Sequence, residues 1–209
     1  WMKEYDFVFL DEVLESTQYE VRYHSHDNFI GKPIEGYFSD RLVMTRTAAL
    51  ALKTAEKSFK KKGYCLKIFD TYRPQRAVNN FISWSKLEAD TIMKAAYYPE
   101  QEKQNLFKLG YISTRSGHSR GSTIDLTLAN LETGEEIDMG GPYDFFGAVS
   151  HHSFSDLTPT QLSNRRLLKD TLWNAGFRSY SKEWWHYTLN DEPYPKQYFD
   201  FLVSPSIAK

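Results

Sequence analysis

The chain has 209 residues, with 26 Lys and Arg against 27 Asp and Glu for a net charge of −1. That balance gives no broad basic field for nucleic acid or an anionic membrane surface, and no apolar run approaches the ~20 residues of a membrane-spanning helix. The length suits one domain over residues 1–209 with a sizeable core, and aromatics at 16% of residues can wall a deep pocket as well.

The first predicted element is a short strand at residues 5–10. No secretory signal pattern precedes it, yet the first residue is Trp1 rather than Met. The expectation therefore leans towards a processed protein of the cell envelope over a cytoplasmic one; oligomeric state is not legible. Residues 23–37 carry Asn28, Gly31, Pro33 and Gly36, a punctuation that reads as turns. From Thr45 to Lys62 the pattern predicts a helix. Ala48, Leu52, Ala55 and Phe59 fall near one face, lysines crowd the last turn, and Gly63 is a natural stop. Lys60-Lys61-Lys62 then reads as a solvated helix end. A strand at 64–69 follows. It holds Cys65, the only cysteine, which excludes an intrachain disulfide and reads as a buried inert thiol.

Pro74 biases Arg73 towards extended backbone and opens a helix at about 75–87, burying Ala77, Val78, Phe81, Ile82 and Trp84. Residues 88–110 read as less regular helix, interrupted at Tyr98-Pro99. Ser122 to Leu128 is strand-like, with a turn at Leu131-Glu132-Thr133-Gly134. Residues 138–157 form a loop long enough to expect a role for it. Thr158-Pro159 caps a helix that runs to Asn174 and stops at Gly176. Trp184 to Leu189 is the last strand, before an irregular tail with Pro193 and Pro195. The sum is an α+β fold, a small antiparallel or mixed sheet with helices packed around it. Strands and helices do not alternate regularly enough for parallel β-α-β winding.

His118, Asp125 and His186 are two imidazoles and one carboxylate, a set suited to a catalytic zinc with an open fourth position. Glu183, three residues before His186, is placed to take a proton from water at such a metal. Strand geometry imposes two conditions. His118 and Asp125 are seven apart, an odd spacing that sends them to opposite faces of a flat strand; a turn or bulge at Gly121 must therefore leave His118 on a loop. In the strand 184–189, Trp184 and His186 share one face while Trp185 and Tyr187 share the other, so Glu183 reaches the metal only from an irregular strand start. Each residue alone has a plainer reading: a histidine among aromatics as a hydrogen-bonded core residue, an aspartate at a strand end as a turn or cap. His151-His152 reads as exposed or supporting rather than ligating.

Ser116-x-His118-x-x-Gly121-x-x-x-Asp125 followed by Glu183-x-x-His186 resembles the pattern of the D-alanyl-D-alanine dipeptidases of the VanX type. These are D-Ala-D-Ala metallopeptidases that share a fold with the hedgehog signalling domain. The likeness continues through Asp27-Asn28-Phe29-x-Gly31-Lys32-Pro33, Asp70-x-Tyr72-Arg73-Pro74-x-Arg76-Ala77-Val78-Asn79 and Asp191-Glu192-Pro193-Tyr194-Pro195, covering nearly the whole chain. Thr123 departs from it, standing where the family usually has Ala.

The resemblance implies a hedgehog-like zinc peptidase fold with one Zn²⁺ per chain on His118, Asp125 and His186. It further implies Glu183 as general base and acid, and Arg73 as stabiliser of the oxyanion. An arginine at a helix start, the positive end of the dipole, is otherwise an odd choice. Tyr23, Ser116 and Asp144 match substrate-contacting residues, Asp144 meeting the ammonium of a free dipeptide. Trp184 and Trp185 read both as core and as pocket lining, and Trp184 is counted with the pocket. The expected reaction is zinc-dependent hydrolysis of D-Ala-D-Ala to two D-Ala, serving glycopeptide resistance or cell-wall D-Ala salvage. Two alternatives stand beside it: a D,D- or L,D-carboxypeptidase acting on peptidoglycan stem peptides, and a non-catalytic hedgehog-like zinc-binding module. Glu183 and Arg73 argue against the last, because a structural zinc needs neither.

Overall fold

The computed structural model describes residues 2–205. In chain order the elements are β1 (Phe7–Phe9), β2 (Thr17–Tyr19), β3 (Val43–Thr45), α1 (Arg46–Lys60), β4 (Tyr64–Asp70), α2 (Gln75–Ser85), α3 (Lys94–Tyr97), α4 (Leu106–Leu109), β5 (Thr123–Asn130), α5 (Pro159–Asn174), β6 (Phe177–Tyr180) and β7 (Glu183–Leu189). β1 and β3 pair as an antiparallel ribbon, and the other strands form one sheet in the order β2-β4-β5-β7-β6. This is the mixed sheet of an α+β fold. Among the described residues no helix is long and apolar enough to cross a membrane.

The long helices follow from their sequences. α1 buries Ala48, Leu52, Ala55 and Phe59, while Lys60, Lys61 and Lys62 are exposed. α5 starts in a capping box: Thr158 Oγ1 accepts the Gln161 amide at 3.2 Å, and Gln161 Oε1 accepts the Thr158 amide at 2.9 Å. Its Leu168 and Leu172 are buried, and α1 and α5 pack against each other, α1 against β4 and α5 against β6. α2 buries Ala77, Val78, Phe81 and Trp84 but leaves Ile82 half-buried, and Pro74 stands at its N-cap rather than as its first helical residue.

Three strands went unread in the sequence. β2, β3 and β6 are three or four residues long, too short for alternation to show. β2 pairs parallel with β4, which makes the sheet mixed, as expected. The buried carboxylate of Glu56 on α1 holds this edge: its Oε1 accepts the Glu15 amide at 3.0 Å, the Ser16 amide at 2.8 Å and the Thr17 hydroxyl at 3.0 Å.

Two breaks in register prepare the site. β4 and β5 pair Ile68 with Leu126, then Asp70 with Asp125, where an unbroken ladder would have opposed Asp70 to Ile124. Directly opposed residues share a face, so the bulge brings Asp70 from Ile124's side of the sheet to Asp125's. β6 and β7 pair Ser179 with Tyr187 and then Tyr180 with Glu183, leaving Trp184, Trp185 and His186 out of that ladder. Glu183 thus stands at an irregular strand start, as the sequence required.

Candidate metal centre

Residues 117–120 form a short 3₁₀ turn whose entry is fixed by Ser116 Oγ accepting the His118 amide at 3.2 Å. Gly121 ends the turn with φ +83°, and a Cβ there would stand 2.3 Å from Phe7 Cε1, so both conformation and space demand glycine. β5 starts two residues later. His118 therefore sits on a turn and Asp125 in the strand, the arrangement their odd spacing called for. His186 lies directly opposite Asp125 across the β5–β7 ladder.

The three side chains converge. His118 Nε2 lies 3.2 Å from Asp125 Oδ2, His186 Nδ1 lies 3.0 Å from Asp125 Oδ1, and the two ring nitrogens are 3.4 Å apart. His118 Nδ1 is 2.6 Å from the Thr71 carbonyl oxygen. A carbonyl only accepts, so Nδ1 carries the proton and Nε2 presents its lone pair to the cluster. Asp125 Oδ1 is buried without a hydrogen-bond donor. Lone pairs from two imidazoles and a carboxylate thus meet at one point, the donor set a zinc ion takes.

The surrounding charges make the same case. Asp70 and Asp144 are buried beside the cluster, as is Glu183, whose Oε2 lies 3.3 Å from His186 Nδ1. Arg73 is the cation among them. Its Nε donates to Asp70 Oδ2 at 3.0 Å and its Nη2 lies 3.6 Å from Asp125 Oδ2. Asp70 Oδ1 accepts from the Tyr37 hydroxyl at 2.7 Å. Burial, then the charges of Asp125 and Asp144, push Glu183 well above the usual carboxylate range against the pull of Arg73. Burial and the Asp125 charge push Asp144 up to about 7, although the Tyr23 hydroxyl donates to it at 2.8 Å. Asp125 itself, against the effect of burial, is held well below the usual range by His118 and His186. Four carboxylates against one guanidinium fit a resident divalent cation, whose charge reverses the raised affinities for protons.

A cavity of about 470 Å³ opens onto this cluster and is lined by Tyr23, Arg73, Ser116, Asp144 and Glu183 together with His118, Asp125 and His186. Phe29, Phe81 and Phe146 form part of its wall, the Phe29 ring lying tilted at 4.9 Å from Phe81 and 5.1 Å from Phe146. Trp184 is the exception among the residues expected here. It is absent from the wall and lies under the Arg165 guanidinium, 5.9 Å from ring to carbon, because the register break cancels the alternation that would have put it beside His186. His151 and His152 stay outside the ligand cluster, and His151 Nε2 instead meets the Tyr111 hydroxyl at 3.0 Å. Cys65 is buried, and burial raises its thiol.

Two residues at the site went unassigned in the sequence. Asp70 was visible only as a carboxylate closing a strand three residues before Arg73. Tyr143 gave no signal beyond its place next to Asp144. Its ring stacks on Phe69 at 4.3 Å and its hydroxyl donates to Asp125 Oδ2 at 3.3 Å.

Comparison with known proteins concerns the chain as a whole. The profile of the family described as D-ala-D-ala dipeptidase matches residues 3–204. A D-alanyl-D-alanine dipeptidase of Enterococcus faecalis is 45% identical over 201 residues, covering 96% of this chain and 100% of the relative. A D-alanyl-D-alanine dipeptidase of Streptomyces coelicolor is 44% identical over 199 residues, covering 95% and 98%. A solved structure of VanYB in complex with D-Alanine-D-Alanine is similar with a TM-score of 0.43 at 14% identity, covering 73% of this chain and 75% of that one.

Proposed function

The chain is a peptidase belonging to the D-ala-D-ala dipeptidase family, and on that premise we propose that it hydrolyses the free dipeptide D-Ala-D-Ala to two D-Ala, with one zinc ion held by His118, Asp125 and His186. Residues 1–209 serve this reaction as one domain. When bound, the zinc lowers the pKa of its water towards ~7 and polarises the scissile carbonyl. Glu183 takes the proton of the attacking water and hands it to the leaving amine. Its position at the irregular start of β7 lets its carboxylate reach the cavity from beside His186.

Arg73 stabilises the oxyanion of the tetrahedral intermediate. Both its Nε and Nη2 lie within 3.0 Å of Asp70 Oδ2, which fixes the guanidinium before substrate arrives. Tyr23 and Ser116 complete the wall around the dipeptide.

The observation that carries the dipeptide reading is Asp144. It is a buried carboxylate on the cavity, it accepts from the neutral Tyr23 hydroxyl, and it forms no ion pair among the described residues. A buried negative charge with room in front of it selects an ammonium group. A free dipeptide carries that group one residue from the scissile bond, whereas a longer stem peptide carries an uncharged amide there. Zinc-loaded protein given D-Ala-D-Ala, L-Ala-L-Ala and a pentapeptide ending in D-Ala-D-Ala should release D-Ala from the first fastest. No turnover of the dipeptide overturns the proposal, and faster cleavage of the pentapeptide transfers it to a carboxypeptidase.

A further inference from the structure

The loop of residues 138–157 carries Asp144 and Phe146 to the cavity wall and Tyr143 to Asp125, and both of its flanks return to α5. Arg165, on α5, stands between those flanks and is 5% exposed. Its Nε donates to the Met139 carbonyl at 2.6 Å, its Nη2 to the Val149 carbonyl at 2.7 Å and its Nη1 to the His151 carbonyl at 3.1 Å. No carboxylate forms an ion pair with it among the described residues, and burial pulls its pKa down to about 10. A buried guanidinium committed to backbone oxygens is an expensive arrangement unless those oxygens need holding. The planar fork of five donors suits three carbonyls arriving from different directions, which a single ammonium does not.

What the fork encloses is the lobe 140–150, and within it Asp144 has φ +58°. Non-glycine residues persist in left-handed backbone only where their surroundings over-determine them. Other contacts steady the same lobe: the Phe146 amide donates to the Tyr97 carbonyl at 2.7 Å, and Gln161 Nε2 donates to Asp138 Oδ2 at 2.8 Å. Among the described residues, Arg165 is the side chain that ties the incoming flank to the outgoing one at three points.

We infer that Arg165 is a positioning residue for the dipeptide site: by clamping the carbonyls of Met139, Val149 and His151 it closes the lobe 140–150 and keeps the Asp144 carboxylate on the cavity. The inference rests on the proposed reading of Asp144 as the partner of the substrate's ammonium. That contact is equally present in ground and transition states, so weakening it raises KM and spares kcat.

The test is steady-state kinetics on zinc-loaded protein with D-Ala-D-Ala, using Arg165→Met, Arg165→Lys, Asp144→Asn and the double variant of Arg165→Met with Asp144→Asn. Arg165→Met should raise KM by about 10-fold with kcat within about twofold, the size of one lost charge-assisted contact. Arg165→Lys, which keeps a cation and one carbonyl bond, should raise KM by about 3-fold. The double variant should be no worse than Asp144→Asn, because Arg165 acts through that residue. Hydrogen exchange of amides 140–150 should quicken in both Arg165 variants while the sheet stays protected.

A fall in kcat at constant KM marks a merely structural arginine and overturns the inference. So do additive KM effects in the double variant, or an unchanged KM in the Arg165 variants when Asp144→Asn raises it. If Arg165→Met fails to fold, Arg165→Lys decides by the same criteria. An unchanged KM in Asp144→Asn itself removes the ammonium reading, a separate failure recognisable as such.

Discussion

Asp125 and His186 stand opposite each other on paired strands, and His118 stands on a turn tied to both. Asp144 stands instead on a long loop, in left-handed backbone, held by side chains that reach over from a helix. Both groups line the same cavity. Ladder register places the first to within a fraction of a residue step, and it can change only by whole steps. Clamps place the second, and clamps loosen by degrees. The proposed chemistry thus lies with the ladder and the proposed recognition with the loop, so damage to each should appear in different measurements.

The largest effect should come from taking the cation away. Chelation, or Asp125→Ala, should abolish turnover, and metal analysis should fall from one zinc per chain to none. Chelation should also lower the melting temperature by about 5–10 °C, because Asp70, Asp125, Asp144 and Glu183 are then left with Arg73 as their one buried counter-charge among the described residues. A melting temperature indifferent to chelation would break the assignment of the ladder side to metal. Glu183→Gln should lose about 10²–10⁴ in kcat with zinc content intact, and parallel loss of zinc would mark Glu183 as a ligand instead. Arg73→Lys should lose about 10² in kcat with KM little changed. A rise in KM alone would move Arg73 to the recognition half.

Two smaller predictions concern stability. A Cβ on Gly117 would stand 2.8 Å from Thr123 Oγ1, and that hydroxyl pairs with Thr188 Oγ1 at 2.9 Å. Gly117→Ser should therefore destabilise by about 1–3 kcal/mol, and Thr123→Ala in the same chain should recover most of it. Simple additivity in urea unfolding would show that Gly117 and Thr123 are not a matched pair. Thr158→Ala removes the cap of α5 just beyond the loop and should cost about 1 kcal/mol. KM should not move, because the Arg165 clamp and the Gln161 bond to Asp138 both remain; a shifted KM would spread the clamp over more of the helix than proposed.

Much of this was legible in the sequence because it follows from local rules. α1 and α5 announced themselves by periodicity, caps and stops, and the odd spacing of His118 and Asp125 required the turn that Gly121 makes. Glu183 needed an irregular strand start and has one. What stayed hidden depends on partners remote in the chain. The pairing of β2 with β4 rests on Glu56, 39 residues from Thr17. Trp184 was misplaced because alternation holds only in an unbroken ladder, and no residue in 184–186 advertises the break. Asp70 and Tyr143 look like any strand-end aspartate and loop tyrosine until the strands are laid side by side. Arg165 went unread, since carbonyl acceptors leave no trace in sequence.

The bulge between Ile68 and Asp70 has a consequence for how such a site tolerates change. A pleated strand has two phases, and one extra residue on β4 selects between them for Asp70. Point substitutions at Phe69 would alter packing against Tyr143 by amounts that vary continuously. Smoothing the bulge into an unbroken ladder at unchanged length would instead oppose Asp70 to Ile124 and turn it to the far side of the sheet, parting Arg73 from its anchor at a stroke while leaving every proposed metal ligand in the chain. Along this strand the site behaves as a two-position switch, sensitive to register before it is sensitive to identity.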